Sequence, residues 1–147
     1  MTTRRAVDEE TAIRQRIDTL AEAIRAMDLE AVKPAFAPDL VSFDIEPPLQ
    51  HLGAEAKWRN WANVFAAYQS PLAYEIRDFA VTVGDGVAFG HALSRISGTL
   101  KNGTRSGYWV RWTTGFRKID GRWLIAHDQI SVPIDVTSGR ALLDLEP

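Results

Sequence analysis

The absence of cysteine from this chain excludes disulfide bonds, thiolate catalysis and metal sites built from cysteine. Blocks of like charge are also lacking, because 17 basic and 19 acidic side chains are spread along the sequence and leave a formal net charge of −2. Nucleic acids and anionic membranes attract concentrated positive charge, so neither is an expected partner. No apolar run is long enough to span a bilayer or to form a secretory signal, and we therefore expect a cytoplasmic protein.

Sequence patterns for metal and phosphate chemistry are missing too. The three histidines, His51, His91 and His127, are predicted to lie in a loop and on different strands, which does not favour a shared metal site. Phosphate-binding loops and nucleophile elbows are absent by pattern. We therefore predict neither a metal nor a cofactor. The length of 147 residues fits one domain, residues 1–147, with room for a core and a single site.

Helical periodicity dominates the first half of the chain. Apolar residues at three- and four-residue steps predict an amphipathic helix from about Asp8 to Met27. Asp28 is placed to cap a second, short helix that ends near Pro38, and Leu40–Ile45 is predicted as a strand. A third helix is predicted over Ala54–Tyr68, with an aromatic stripe along one side. The stripe consists of Trp58, Trp61, Phe65 and Tyr68. Such stripes usually pack in a core and only sometimes form the wall of a ligand site.

Strand periodicity dominates the second half. Residues of two different characters alternate along four runs, which are Tyr74–Val83, Val87–Leu100, Gly107–Phe116 and Trp123–Ser131. The last two runs are joined by a tight turn containing Asp120-Gly121, a pair typical of β-hairpins. Helices followed by hairpin-linked strands predict an α+β fold, in which a curved antiparallel sheet carries the helices on one side.

Three segments carry a resemblance to a known family: Met27–Leu29, Phe36–Asp39 and Asp120–Ile125, the last followed by His127, Ser131 and Pro133. With the order of elements, they resemble the nuclear transport factor 2-like superfamily, and within it the SnoaL-like, ketosteroid-isomerase-related proteins. The resemblance covers almost the whole chain. It implies a cone-shaped curved antiparallel sheet wrapped round N-terminal helices, a cystatin-like α+β barrel, with a pocket inside the cone. It also implies dimerisation through the outer sheet face.

Pairing with steroid delta-isomerase, one member of this superfamily, places Asp44 at the position of the proton-abstracting carboxylate. The same pairing places Leu20 and Thr114 where that enzyme carries its two oxyanion donors. In the isomerase, a tyrosine and a neutral carboxylic acid hold the enolate oxygen while the carboxylate acts as base. Only the base is retained here, so we do not predict steroid isomerisation.

A second pairing, with limonene epoxide hydrolase, matches Arg95 and Asp128 to two members of an Asp–Arg–Asp relay. Ser97 occupies the position of the other aspartate. Since the relay needs one carboxylate to hold water and another to protonate the epoxide, epoxide hydrolysis is also disfavoured.

The predicted site lies inside the cone. Asp44, His91 and Arg95 are the candidate catalytic residues, with Asp44 as a base whose pKa an apolar cavity would raise and the other two as oxyanion donors. The candidate substrate-binding residues are Trp58, Trp61, Tyr108, Trp112, Thr114 and Asp128. Apolar walls with a few polar groups suit a small apolar ligand. Each polar group also has a purely structural interpretation: Asp44 can accept from backbone amides, His91 can be a core histidine, and Arg95 can form a buried ion pair with Asp128.

The opposite face of the sheet is predicted to carry Trp109, Arg111, Trp123 and Ile125. Large aromatic rings beside an arginine are typical of a protein interface, so a homodimer through the outer sheet face is expected.

Two functions therefore remain open. One is a lyase- or isomerase-type enzyme that abstracts a proton next to a carbonyl of a small apolar substrate. The alternative is a non-catalytic ligand-binding or oligomerisation module, like the association domain of calcium/calmodulin-dependent kinase II.

Overall fold

The computed structural model describes residues 2–147. Three helices are formed: α1 at Thr2–Arg25, α2 at Leu29–Val32 and α3 at Ala54–Ala67. A single 3-10 turn, Lys33–Ala35, follows α2. None of the helices in residues 2–147 is long and apolar enough to cross a membrane.

Helix α1 has the apolar stripe that the sequence predicts. Ile13, Ile17, Leu20 and Ile24 are each at most 2% exposed and face the sheet. The helix begins earlier than predicted and ends before Met27, whose φ of 54° is left-handed. The predicted cap of α2 is confirmed, since a carboxylate oxygen of Asp28 accepts from the backbone N–H of Ala31 at 3.2 Å.

Six strands build the main sheet: β1 Phe36–Phe43, β2 His51–Leu52, β3 Ala73–Val83, β4 Val87–Thr99, β5 Arg105–Ile119 and β6 Arg122–Ser131. Their order is β2-β1-β6-β5-β4-β3, and every neighbouring pair is antiparallel except β1–β6, which is parallel. Two short strands near the C-terminus, β7 Ile134–Asp135 and β8 Arg140–Ala141, form a separate hairpin. The predicted α+β class and cone architecture are confirmed, with one parallel pair that hairpin patterns do not reveal.

The start of β1 differs from the sequence prediction. Phe36 was predicted to lie on the second helix, whereas the helix ends at Val32 and the strand begins at Phe36. Pro34 and Pro38 lie on either side of this change, and proline cannot donate the backbone hydrogen bond that would prolong a helix.

Helix α1 crosses the concave side of the sheet and is hydrogen-bonded to β6 in the middle of the sheet and to β3 at one edge. The guanidinium of Arg16 donates to the carbonyl of Trp123 on β6 at 3.0 Å, and that of Arg25 donates to the carbonyl of Tyr74 on β3 at 2.9 Å. Helix α3 packs against β1 and α2. The core lies between α1, α3 and the inner sheet face.

A β-bulge in β6 changes which of its side chains face the core. Thr114 pairs with Asp128 and Gly115 with His127, but Phe116 pairs with Ile125, so one residue of β6 has no partner. Uniform alternation would put Trp123 and Ile125 on the outer face, and that prediction is wrong. They are 4% and 0% exposed, and the Trp123 indole donates to Glu9 on α1.

The inner face of β4 carries small residues, which reverses the predicted orientation of this strand. Ala92 lies opposite Trp112, and Ser94 opposite Val110. Because Trp112 is 5% exposed and faces the core, the even-numbered residues of β4 face inward with it. The predicted inward placement of His91 and Arg95 is therefore wrong. Next to Trp112, the inward positions of β4 carry the small residues Ala92 and Ser94, whereas Leu93 and Arg95 point outward.

Candidate functional site

A cavity of about 540 Å³ lies between α3 and the concave face of the sheet. Its walls include six aromatic rings, those of Phe36, Trp61, Tyr68, Tyr74, Tyr108 and Trp112. Its charged lining residues are Asp44, Glu46, Lys57 and Asp128. The cavity combines apolar walls with a small group of polar side chains, the composition expected of a small-molecule site.

Lys57 on α3 is the centre of the polar group. Its ammonium lies 3.2 Å from Asp44 Oδ2 and 3.1 Å from Asp128 Oδ2, and its side chain is only 4% exposed. It also donates to the hydroxyl of Ser42 at 3.3 Å. One positive charge is therefore shared between two carboxylates in a region with little access to solvent.

Lys57 is not among the residues predicted for the site, although the sequence contains a signal for it. It lies three residues after Ala54 and four before Trp61, on the face of α3 that packs inward. A lysine at a core-facing position must find a partner, because an unpaired buried charge is costly. Helical periodicity alone therefore predicts that a carboxylate lies nearby.

Asp128 on β6 is the deeper of the two carboxylates, with a side chain 1% exposed. The parallel register of β1 and β6 pairs it with Ser42, whose hydroxyl donates to its Oδ1. Its Oδ2 accepts from the Trp112 indole at 3.3 Å as well as from Lys57. With these three donors, the buried carboxylate is both charge-paired and hydrogen-bonded.

Asp44 directly follows β1 and borders the cavity, with a side chain 15% exposed. Its Oδ1 accepts from the backbone N–H of Ile45 at 2.7 Å, and its Oδ2 accepts from Lys57 and from Asn60 at 3.3 Å. Burial by itself would raise the pKa of Asp44, but the Lys57 charge and the Ile45 N–H outweigh it, so this pKa lies below its ordinary value. The predicted rise in pKa is thus wrong in direction, because the cavity provides a cation.

Asn60 extends the polar group to the mouth of the cavity. Its side-chain amide nitrogen lies 3.4 Å from His51 Nδ1, and the other ring nitrogen of His51 lies 3.1 Å from the carbonyl oxygen of Glu46. These contacts connect the segment that follows β1 to α3. They hold the Asp44 carboxylate in a fixed orientation toward the cavity.

Two tyrosine side chains supply neutral donors on the facing strands. Burial raises the pKa of the Tyr74 phenol, although a hydrogen bond with Ser94 opposes the rise. Burial also raises the pKa of the Tyr108 phenol, and the nearby Tyr68 adds to it. Both phenols therefore keep their protons at neutral pH and can donate to an oxygen atom of a bound molecule.

The structure brings together five of the residues predicted for the site: Asp44, Trp61, Tyr108, Trp112 and Asp128 all line the cavity. The other four, Trp58, His91, Arg95 and Thr114, do not line it.

Thr114 faces inward, but it lies in the packed core at 1% exposure with no hydrogen-bond partner for its hydroxyl among the described residues. Trp58 lies outside the cavity with the ammonium of Lys33 5.2 Å from its ring centroid. His91 and Arg95 are on the convex face. The alternative ion pair between Arg95 and Asp128 is not formed, because Asp128 pairs with Lys57 instead. Within residues 2–147, no cluster of three His, Asp or Glu side chains is arranged to hold a metal.

Comparison with solved structures supports the fold. A nuclear transport factor 2-like protein of unknown function from Pseudomonas putida is 28% identical, with 96% of this chain and 98% of that chain covered at a TM-score of 0.86. A ketosteroid isomerase-like protein from Erwinia carotovora is 21% identical, with 82% and 93% covered and a TM-score of 0.69. A protein from Streptomyces avermitilis, provisionally named a dehydratase, is 16% identical, with 88% and 99% covered and a TM-score of 0.74. At the last two identities the likeness shows the fold alone.

No curated protein matches the chain significantly. The family model described as a SnoaL-like domain matches residues 13–135, which include α3, all six strands of the main sheet and every charged residue of the cavity. The chain therefore belongs to the SnoaL-like domain family of the nuclear transport factor 2-like superfamily.

Proposed function

We propose that this protein is an enzyme acting on a small molecule in the cavity, and that Asp44 removes a proton from a carbon atom next to a carbonyl group. The observation that carries the proposal is an ionised carboxylate held in a fixed orientation on the wall of an aromatic cavity. A general base must be deprotonated, accessible to the substrate and positioned by its neighbours. Asp44 meets the first condition because its pKa is lowered, and the second because it borders the cavity.

The proton balance of the step is simple. The C–H bond breaks, the proton moves to a carboxylate oxygen of Asp44, and the electron pair passes to the carbonyl oxygen of the substrate. Tyr74 or Tyr108 would donate a hydrogen bond to that developing oxyanion. Return of the proton at another carbon completes an isomerisation. In a dehydration, the proton passes instead from Asp44 to a β-hydroxyl of the substrate, whose C–O bond breaks so that the group leaves as water.

Lys57 supports this step without changing its own charge. When Asp44 is protonated, Lys57 still has Asp128 at 3.1 Å, so no buried ammonium is left without a partner. The lowered pKa also has a cost, because it makes Asp44 a weaker base. We therefore propose a substrate whose C–H bond is already acidified, for example by an adjoining aromatic ring.

Deuterium exchange tests this proposal. Wild-type protein in D2O should speed the incorporation of deuterium beside the carbonyl of aryl-activated ketones such as 2-tetralone, as measured by NMR. Asp44→Asn keeps the shape and removes the base, and we expect it to lose about 100-fold or more of the enzymatic rate. Asp85→Asn, which changes an exposed turn carboxylate outside the cavity, is the matched control and should exchange like wild type. Equal rates for wild type and a folded Asp44→Asn would overturn the assignment.

A second function is supported by one observation. Both oxygens of Asp44 already accept hydrogen bonds, from Ile45 on one side and from Lys57 and Asn60 on the other. Such a carboxylate is also suited to a structural role in a non-catalytic ligand-binding module. In that case the tetralone would bind without any exchange above background.

We also propose that the protein forms a homodimer through the convex sheet face. The sequence analysis bases this interface on large apolar side chains of the outer face, and part of that basis is lost. Trp123 and Ile125 are buried in the core, and the Trp109 indole donates to Glu146 at 3.1 Å. Other apolar side chains support the proposal, since Val87 and Phe89 on β4 are 54% and 56% exposed.

A further inference from the structure

We infer that the cavity selects a ligand that carries a protonated amine on an aromatic or alicyclic skeleton, and rejects carboxylates and phosphates. The inference rests on the proposed function in that it names a substrate class for the same cavity. It concerns binding selectivity, which is measured without any turnover.

The first argument is the balance of charge. Of the charged side chains that line the cavity, three are carboxylates, Asp44, Glu46 and Asp128, and one is the ammonium of Lys57. Lys57 lies 3.2 and 3.1 Å from two of those carboxylates, so a single positive charge offsets a double negative one. The other donors to these carboxylates, including Asn60 and the Trp112 indole, are neutral and stabilise the charge without cancelling it. An excess of negative charge therefore remains inside the cavity.

The second argument is where this excess lies. Asp128 is 1% exposed and accepts from three donors, whereas Asp44 is 15% exposed and borders the cavity. Glu46 is exposed at the mouth, where solvent screens most of its charge. The uncompensated charge that a ligand would meet is thus mainly that of Asp44. A cation placed there would gain a partner, and an anion would be repelled.

The third argument is the aromatic wall. Aromatic ring faces are electron-rich and attract organic cations, and a cation within about 6 Å of a ring centroid is stabilised. Rings of Trp61, Tyr74, Tyr108 and Trp112 border the same space as Asp44. Negative charge among aromatic rings is the environment that favours an alkylammonium group, whereas an inorganic cation would need more oxygen ligands than this wall offers.

Three probes with one ring system and different charge test the inference. They are 2-naphthylmethylamine, 2-naphthalenemethanol and 2-naphthoate, at neutral pH and low salt. Binding would be followed by quenching of tryptophan fluorescence, because Trp61 and Trp112 line the cavity, and checked by calorimetry. We expect the amine to bind about tenfold more tightly than the alcohol, and the carboxylate about tenfold more weakly. Higher salt should bring the affinities of the three probes closer to one another.

The variant Asp44→Asn separates charge from shape. It should bring the amine-to-alcohol ratio close to one while leaving the affinity for the alcohol within about twofold, because the amide has the size of the carboxylate. Asp85→Asn should leave all three affinities unchanged. The inference is overturned if the naphthoate binds as tightly as the amine, if Asp44→Asn keeps the full amine preference, or if none of the probes binds at millimolar concentration.

These outcomes are distinct from those of the exchange experiment. If deuterium exchange depends on Asp44 but the amine is not preferred, the proposed ligand class is wrong and the assignment of Asp44 as general base stands. If the amine is preferred but no exchange occurs, the proposed ligand class stands and the proposed proton abstraction is wrong.

Discussion

Replacement of Lys57 by methionine is expected to have the largest effect on stability of any single change at the cavity. Methionine has a similar length, so little volume is lost, but the ammonium that lies 3.2 Å from Asp44 and 3.1 Å from Asp128 is removed. The Lys57 side chain is 4% and Asp128 1% exposed, so water cannot replace the missing charge. Breaking a buried ion pair by removing one partner typically costs about 3–5 kcal/mol. We expect a loss in this range at pH 8.

The same variant should show an altered dependence of stability on pH. In the wild type, the folded pKa of Asp44 is lowered, so its contribution is fully present above the unfolded value of about 3.9 and is lost as the pH falls through the folded value. Without Lys57, burial is no longer outweighed, and we expect the folded pKa of Asp44 to rise above the unfolded value. A raised pKa favours the protonated form on folding, so the variant should recover stability as the pH falls. The difference between wild type and variant should therefore shrink from pH 8 to about pH 4.5.

Denaturant unfolding followed by tryptophan fluorescence measures this difference at both pH values. Lys101→Met is the control, because it makes the same chemical change at an exposed turn position, and it should alter the free energy of unfolding by less than about 0.5 kcal/mol. Adding Asp44→Asn to Lys57→Met should restore part of the loss, since it removes one of the two unpaired carboxylates. A loss below about 1 kcal/mol at pH 8, or an equal loss at both pH values, would refute the assignment of Lys57 as the shared partner.

Two further predictions concern the sheet. Gly90→Ala should lower the free energy of unfolding by about 1–3 kcal/mol. The added methyl would lie 3.1 Å from the carbonyl oxygen of Ala80 and 2.9 Å from the side chains of Phe79 and Thr114. A thermal melt that matches wild type would contradict this prediction. Phe89→Glu, on the convex face, should convert the proposed homodimer into a monomer, as measured by light scattering, while the thermal melt stays cooperative. A wild-type protein that is already monomeric at high micromolar concentration would refute the dimer proposal.

Patterns that repeat within one element were predictable from the sequence. The stripe of Ile13, Ile17, Leu20 and Ile24 gave α1, because a helix turns by a fixed angle per residue and buries one side. The cap at Asp28 was equally local. The family resemblance added the cone that the sheet forms round the helices and the pocket inside it, which alternation along a strand cannot show.

The faces of the strands were less predictable, because alternation assumes an uninterrupted strand. The bulge between the Gly115 and Phe116 pairs shifts the alternation of β6, and it leaves no distinct signature in the residues on either side. On β4 the difficulty was size. The sequence prediction placed the large side chains of His91 and Arg95 inside the cone, whereas the inward position opposite Trp112 is occupied by the small Ala92. Both errors come from neighbouring strands, which a local pattern does not contain.

The polar group of the cavity shows the same limit most clearly. Helical periodicity places Lys57 on the inward face of α3, and the cost of an isolated buried charge then requires a carboxylate nearby. Nothing in the sequence identifies Asp128 as that partner, because Ser42 and Asp128, which are 86 positions apart, meet only through the parallel pairing of β1 with β6. Parallel neighbours are not joined by a hairpin turn, so no turn pattern in the sequence predicts this pairing. Because Lys57 joins carboxylates on both sides of it, the methionine variant would test the junction of the two strands as well as the chemistry of the site.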